Sequence, residues 1–362
     1  MPELLARLLG WNALLHSIFD DLFCGRSVIL SVPSLSEKII SRALWASLGQ
    51  QQSLDTIRLF ERDAQAPIET LSRHFNLTPR PATPLDVATH DNLAGRVAFA
   101  CTSLNTANLW RDFLNAVGPS IHGAEPPRRC RFLLTFPAQI VPPRHDAWLC
   151  IRTWDDTLTS SDLLTAALLS CPHGRESPTG RILRAHLVAR IALWDLDLAR
   201  DLARAPLSDL VAPLPVLLQR ARDLGWDGLA HHEKTRAREE GALCVVDGAE
   251  LSHSAWCAAN NQFQEIRRRL WAAQVSALFE KFESFRHKIL LEPRIRTAHR
   301  KLMPNRDYDT LELTDLVHLS SCANLPPHER NAIRQIRDAR NCLAHFEPID
   351  HQMLTETLRL LT

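Results

Sequence analysis

Between residues 27 and 154, short and continuously apolar runs alternate with amphipathic stretches, and this alternation limits the fold more than any other feature. Apolar residues at three- and four-residue spacing predict helices at 35–49 and 104–118. Because runs without polar alternation are apolar on both faces, helices must cover both faces of the sheet. The sequence therefore predicts an α/β domain with a parallel sheet of five strands, SVILSV (27–32), TIRLF (56–60), RVAFAC (96–101), RCRFLLTF (129–136) and AWLCIRTW (147–154).

The rest of the chain is predicted to be mainly helical. From about 158 to 226, prolines separate short apolar helices of the kind that form a helical lid. A charged stretch follows, then ALCVVDGAELSH, in which the Asp247-Gly248 pair predicts a β-hairpin. We therefore predict four segments: an α/β domain (1–157), a lid-like subdomain (158–226), a linker that carries the hairpin (227–254) and an all-helical domain (255–362).

Composition excludes several classes of protein. The 362 residues carry 42 Lys and Arg against 41 Asp and Glu, so the chain is not expected to coat nucleic acid over its whole surface. Nine cysteines without a CxxC spacing predict neither a disulfide framework nor a zinc ribbon, and they favour a reducing, cytoplasmic setting. No apolar run approaches the roughly 18 residues of a membrane-spanning helix, so no membrane partner is expected.

The order of elements up to about residue 225 resembles the layout of AAA+ and STAND-type P-loop ATPases with their helical lid. Those proteins carry GxxxxGK[ST] after the first strand, where backbone N–H groups wrap the nucleotide phosphates. Here Lys38 stands where the phosphate lysine would be, but Glu37 precedes it, Ile39 replaces the Mg²⁺-binding hydroxyl and both glycines are missing. The resemblance therefore implies a degenerate P-loop domain, a pseudo-ATPase without a cofactor that acts as a sensor or scaffold.

The string IRQIRDARNCLAHFEPID (333–350) contains the most chemically suggestive motif, Arg340 followed five positions later by His345. The 37 Arg and 16 His residues give about 1.6 such pairs by chance, and two others occur (Arg181 with His186, Arg294 with His299). Context distinguishes this copy, because a polar residue follows the arginine and Pro348 ends the helix. Residues 255–362 resemble a HEPN domain (higher eukaryotes and prokaryotes nucleotide-binding), from an all-helical ribonuclease superfamily.

Arg340, Asn341 and His345 are the predicted catalytic residues. On a helix Asn341 and His345 share a face, whereas Arg340 and His345 point about 140° apart, a gap that a long arginine can bridge. An imidazole titrates near neutral pH and can take the proton of a ribose 2′-OH, while a guanidinium stabilises charge on the phosphate oxygens. The expected product is a 2′,3′-cyclic phosphate, formed without a metal ion.

The HEPN resemblance also bears on partners. HEPN nucleases typically build their site from two facing copies, so the resemblance implies a homodimer or pairing with another HEPN chain. In the alternative interpretation, the three motif residues cap a helix and bond a neighbouring helix in an inert copy.

A basic stretch lies upstream of this motif. Seven Arg and Lys residues stand against one Glu between 286 and 306. Such a stretch beside a ribonuclease site would attract an RNA backbone. A solvated, broken helix explains the same charges equally well. The predicted RNA-binding residues are Arg286, Lys288, Arg294, Arg296, Arg300 and Lys301.

Three further clusters are interpreted as structural. Arg267–Arg269 is expected on the exposed face of a long helix whose core stripe is Phe263, Ile266, Leu270, Leu278, Phe282, Phe285 and Ile289. His231-His232-Glu233 lacks a third ligand at helical spacing, so no metal is predicted there. Asp155-Asp156 is interpreted as a helix-capping turn.

Two hypotheses follow from the sequence. The first is a metal-independent HEPN endoribonuclease controlled by a pseudo-ATPase domain, built like bacterial toxins and antiphage effectors, with possible protein partners at the N-terminal domain. The second is a non-enzymatic scaffold that combines the pseudo-ATPase with an inert HEPN bundle. An active ATPase is disfavoured by Glu37 and Ile39.

Overall fold

The computed structural model describes residues 2–59, 66–121, 125, 128–144, 146–172 and 176–361. The chain forms two compact units. Unit 1 contains residues 1–162 and 224–256, and unit 2 contains residues 163–223 and 257–362. Both the α/β pattern and the helix-rich remainder predicted from the sequence are present.

Five strands form the sheet of unit 1, namely β1 (Ser27–Val32), β2 (Thr56–Arg58), β3 (Val97–Cys101), β4 (Arg131–Pro137) and β5 (Leu149–Thr153). The sheet is parallel and has the strand order β2-β3-β4-β1-β5. Strand β1, between β4 and β5, is buried on both faces, with Val28, Ile29 and Leu30 fully inaccessible to water, which explains the absence of polar alternation. The predicted second strand is shorter than 56–60, and its Phe60 lies outside the described residues.

Helices cover the sheet and build unit 2. In chain order they are α1 (Pro2–Leu5), α2 (Leu9–Phe23), α3 (Glu37–Leu48), α4 (Pro67–Phe75), α5 (Pro84–Ala88), α6 (Leu104–Ile121), α7 (Ser160–Ser170), α8 (Pro178–Ala192), α9 (Leu196–Arg204), α10 (Leu207–Val211), α11 (Leu214–Asp223), α12 (Lys234–Glu240), α13 (Ser254–Ala259), α14 (Phe263–Leu290), α15 (Pro293–Leu302), α16 (Leu313–Cys322), α17 (Pro327–Ala344) and α18 (His351–Leu360). No described helix is long and apolar enough to cross a membrane.

Residues 224–256, which include the predicted linker (227–254), are part of unit 1. They form α12 and the antiparallel hairpin of β6 (Leu243–Val246) and β7 (Ala249–Ser252). Asp247 and Gly248 both have positive φ angles, 51° and 74°, as a two-residue type I′ turn requires. The hairpin itself was therefore correctly predicted, but its place in the same compact unit as residues 1–162 was not.

Asp155 and Asp156, interpreted as a helix-capping turn, fasten this hairpin. An Oδ1 of Asp155 accepts the backbone N–H of Val245 at 3.4 Å, and the Oδ1 of Asp156 accepts that of Gly248 at 3.0 Å. The backbone N–H of Asp156 donates to the Val245 carbonyl at 3.0 Å. The paired carboxylates satisfy hairpin donors from a distant part of the chain, which local spacing cannot reveal.

In unit 2 the long helix α14 packs along α8, so the lid-like segment and the C-terminal helices belong to one body. The core stripe of α14 is largely as predicted, but Phe263, in its first turn, is 46% exposed. Arg269, predicted on the exposed face, is only 4% exposed. It follows Ile266 by three residues and precedes Ala273 by four, so it lies on the buried stripe, where its Nε donates to Glu265 at 2.9 Å.

The first long helix of unit 1 is capped by a distant side chain. The carboxylate of Asp162, 3% exposed, accepts the backbone N–H groups of Leu9 at 2.8 Å and Gly10 at 3.2 Å. It also accepts the N–H and hydroxyl of Thr159. One buried carboxylate therefore satisfies N-terminal donors of both α2 and α7.

We expect Asp162→Asn to lower the free energy of unfolding by about 2 kcal/mol, because the amide keeps a single acceptor oxygen for these donors. The same substitution at exposed Asp86, which caps the short α5, is expected to have a much smaller effect. Urea unfolding followed by circular dichroism measures both. Equal losses in the two variants would contradict the role assigned to Asp162.

Candidate functional site

The predicted catalytic motif lies where α17 ends. The N–H of Glu347 donates to the Cys342 carbonyl at 2.9 Å and that of Phe346 to the Leu343 carbonyl at 3.2 Å, which together form a Schellman motif. This motif requires a left-handed residue, and Phe346 adopts it with φ 60°. A bulky side chain costs about 1–2 kcal/mol there. At six other described helix ends the left-handed residue is Gly or Asn, namely Gly25, Asn76, Gly225, Gly241, Asn261 and Asn324.

Two side chains of α14 fasten the connection between α17 and α18. The indole N–H of Trp271 donates to the Leu343 carbonyl at 2.7 Å. The fully buried amide of Gln274 accepts the N–H of Ile349 at 2.7 Å and donates to its carbonyl at 2.9 Å. The segment that carries His345 and Phe346 is thus held on both sides.

A cavity of about 230 Å³ lies beside the motif and brings together residues from two predicted groups. Arg340 and Asn341 line it, and so does Arg286 from α14. The Arg286 guanidinium is fixed by Glu283 at 2.8 Å and by the carbonyls of Asp309 and Leu311 at 3.2 and 3.0 Å. Two predicted catalytic residues and one predicted RNA-binding residue therefore share one cavity.

His345 follows the cavity residue Asn341 by four positions in the chain. It is not among the described residues that line the cavity. Its backbone N–H donates to the Asn341 carbonyl at 3.0 Å, one turn back, and its side chain is exposed at the end of α17. The structure therefore separates the motif into two cavity residues and one surface histidine. Burial, together with Glu347, raises the pKa of the neighbouring Cys342 thiol, which disfavours its reactive thiolate form.

The three motif side chains have no partners within the part of the chain that the structure describes. Neither the Arg340 guanidinium, the Asn341 amide nor the His345 ring makes a hydrogen bond or ion pair with a described residue. Two arginines of unit 2 that are more buried are fixed, Arg184 by Glu176 and Arg220 by Asp195, whereas exposed ones such as Arg300 and Arg334 are unpaired among the described residues. The motif thus presents unpaired donors of Arg340 and Asn341 at a cavity and an exposed histidine at the end of the same helix.

The remaining predicted RNA-binding residues are exposed but lie outside the cavity lining among the described residues. Residues 293–302 form the regular helix α15, so the basic stretch is broken only near Glu292 and after Leu302. The Arg296 guanidinium stacks over Tyr308, 5.4 Å from the ring centre. The others are Lys288, Arg294, Arg300 and Lys301.

In unit 1, protein carbonyls use the donors of the loop after β1, where the resemblance to P-loop ATPases predicts a degenerate phosphate-binding loop. The N–H groups of Ser34 and Leu35 donate to the carbonyls of Glu239 and Glu240 at 3.1 and 3.3 Å. These carbonyls form the C-terminal end of α12, which carries partial negative charge. Lys38 is exposed on α3. The loop is therefore filled by acceptors where a nucleotide would need free donors.

A larger cavity of about 480 Å³ opens beside this loop, at the ends of β1 and β5. Its cations are compensated, because Lys234 lies 3.9 Å from Glu250 and Arg238 pairs with the same carboxylate. In the nearby histidine pair, His231 stacks on Trp256 with ring centres 5.2 Å apart. Among the described residues there is no group of three or more side chains that could hold a metal ion.

Comparison with known proteins adds no family assignment. No protein-family model matches the chain, and no curated protein sequence matches it.

Gly241 connects α12 to the hairpin with φ 87°, and a Cβ there would lie 2.8 Å from the Leu35 Cβ. We expect Gly241→Ala to destabilise unit 1 by about 2 kcal/mol or more, since it adds a clash to the left-handed strain. Gly248→Ala is the matched control, because Gly248 has φ 74° and open space around it. Chemical unfolding of both variants should show the larger loss at Gly241, and equal losses would contradict the packing of α12 on the loop.

We expect Gln274→Leu to lower the free energy of unfolding by about 2–3 kcal/mol, because it leaves a buried N–H and a buried carbonyl of Ile349 without partners. Gln352→Leu on the exposed face of α18 is the control and should change stability little. Thermal unfolding of the two variants provides the measurement. A near-neutral Gln274→Leu would show that Gln274 does not anchor the connection.

Proposed function

We propose that this protein is a metal-independent endoribonuclease of the HEPN type, carried by unit 2 and controlled by the degenerate P-loop domain of unit 1. The observation that carries the proposal is the unpaired state of Arg340, Asn341 and His345 at one helix end, beside a cavity. The alternative role, in which these side chains cap a helix and bond a neighbouring helix, would give them partners in the fold, and none is found among the described residues.

The chemistry of the site is transesterification of RNA. His345 takes the proton of a ribose 2′-OH, whose oxygen attacks the adjacent phosphorus while the bond to the 5′-oxygen breaks. Arg340 stabilises the charge that develops on the phosphate oxygens, and Asn341 holds a phosphate oxygen in the cavity. The products are a 2′,3′-cyclic phosphate and a 5′-hydroxyl, which takes up a proton as it leaves.

Unit 1 supports a regulatory role. A parallel sheet in which β1 lies between β4 and β5 and is followed by a helix agrees with the P-loop layout. The α12 carbonyls in the loop after β1 and the exposed Lys38 argue against nucleotide hydrolysis. We therefore assign unit 1 a sensor or scaffold role, in a toxin or antiphage effector whose RNase acts as a homodimer or with another HEPN chain.

One observation favours the second candidate function. His345 lies outside the cavity that Arg340 and Asn341 line, so a single chain does not place all three groups around one phosphate. In that case unit 2 is an inert bundle, and the whole protein is a scaffold in a multi-protein defence or nucleic-acid complex.

Incubation of the purified chain with RNA in EDTA distinguishes the endoribonuclease from the scaffold. We expect cleavage to 2′,3′-cyclic phosphate ends, reduced by about 100-fold or more in His345→Ala and in Arg340→Ala. Arg334→Ala and His328→Ala, on exposed positions of the same helix, serve as controls and should cleave normally.

Three outcomes count against the proposal. Cleavage that survives both motif substitutions would refute the site. Dependence on a divalent ion would refute the metal-independent mechanism. Absence of cleavage by the wild-type chain, also when produced in phage-infected cells, would favour the scaffold.

A further inference from the structure

An aromatic pair is open to solvent directly beside His345. Phe346 is 72% exposed, and its ring centre lies 4.9 Å from that of the partly buried Trp271, with the two planes tilted by 40°. The hydrogen bond from the Trp271 indole to the Leu343 carbonyl fixes the orientation of the larger ring. We call Trp271 and Phe346 the aromatic platform.

Neither the backbone conformation nor packing in the core explains why a phenylalanine occupies position 346. Its position at the end of α17 is left-handed, and Gly or Asn fills the equivalent position at six other described helix ends. Because the ring stays largely exposed, burial does not offset the strain that the side chain introduces. A bulky residue that strains the backbone and hides little surface is explained by contact with a molecule outside the chain.

The surroundings of the platform identify the chemistry of that molecule. Arg340 carries an unpaired guanidinium among the described residues, and Arg267, one turn before Trp271 on α14, is 55% exposed with Glu347 at 3.9 Å. The charge of Arg267 is compensated by Glu347, so Arg340, six residues before Phe346 in the chain, is the cation that remains for a ligand. An exposed aromatic face can stack a nucleobase, and an unpaired guanidinium can bind the phosphate joined to it.

We propose that the aromatic platform stacks an unpaired nucleobase of single-stranded RNA, adjacent to the phosphate on which His345 and Arg340 act. The proposal deepens the proposed function and rests on it for the position of that phosphate. Stacking on aromatic side chains is tolerant of base identity but needs a base that is free of a duplex. The substrate class of the site is therefore single-stranded or loop RNA.

Binding of an oligoribonucleotide that contains 2-aminopurine to the full-length His345→Ala protein in EDTA tests this proposal without cleavage. We expect binding to quench the fluorescence of the base, and adding Phe346→Asn to weaken binding about 10-fold and abolish the quenching. The thermal midpoint should not fall, because Asn suits the left-handed position. Phe346→Tyr should retain binding.

Two controls accompany the measurement. Phe263→Asn replaces another exposed phenylalanine of unit 2, at the start of α14, and should leave affinity unchanged. The same oligonucleotide annealed to its complement should bind with no dependence on Phe346.

The outcomes distinguish this proposal from the proposed function. Unchanged affinity and quenching in Phe346→Asn would overturn the platform even if the wild-type chain cleaves RNA. Phe346-dependent binding without cleavage by the wild type would support the platform and refute the ribonuclease. Conversion of a dimer to a monomer by Phe346→Asn, with RNA affinity unchanged, would assign the platform to a second copy of the chain and overturn the proposal.

Discussion

The candidate site depends on the hydrogen bonds by which α14 holds the connection between α17 and α18. Gln274 satisfies both backbone groups of Ile349 from a fully buried position, and Trp271 bonds the Leu343 carbonyl. The loop is thereby fixed on both sides of His345, so an exposed histidine and an exposed aromatic ring gain a defined position. Without these bonds, any ligand that binds the connection would also have to order it, and this entropic cost would lower the binding affinity.

The two units differ in whether the fold satisfies the hydrogen-bond donors at their candidate sites. In unit 1 the carbonyls of Glu239 and Glu240 accept the backbone N–H groups of Ser34 and Leu35 in the loop after β1. In unit 2 the donors of Arg340 and Asn341 stay unpaired at a cavity, within the described residues. Donors near a cavity are normally satisfied within the fold or kept for a ligand. This contrast is the physical basis for assigning chemistry to unit 2 and a supporting role to unit 1.

Strands β1, β3 and β4 could be predicted because each apolar run in the sequence is itself the buried element, and β1 spans the same residues in the prediction and the structure. The placement of 224–256 could not, because it depends on hydrogen bonds between residues about 200 positions apart, such as Ser34 to Glu239. Arg269 was missed for a related reason: a charged residue on a core stripe is predictable only when its partner, Glu265, is considered. The motif was predicted from its sequence context together with its spacing, but the left-handed backbone of Phe346 carries no signal in composition.

The charge around the cavity bears on how the site is completed. Arg286 is compensated by Glu283 and fixed by two carbonyls, so it contributes little free positive charge. Arg340 then supplies the main unpaired cation at the cavity, among the residues that the structure describes, and His345 lies outside the cavity lining. Cleavage of a phosphodiester builds further negative charge on a group that is already anionic, which one guanidinium stabilises only in part. A second copy of the motif would supply both the missing cation and a histidine from outside the cavity, and this requirement agrees with the pairing that the HEPN resemblance implies.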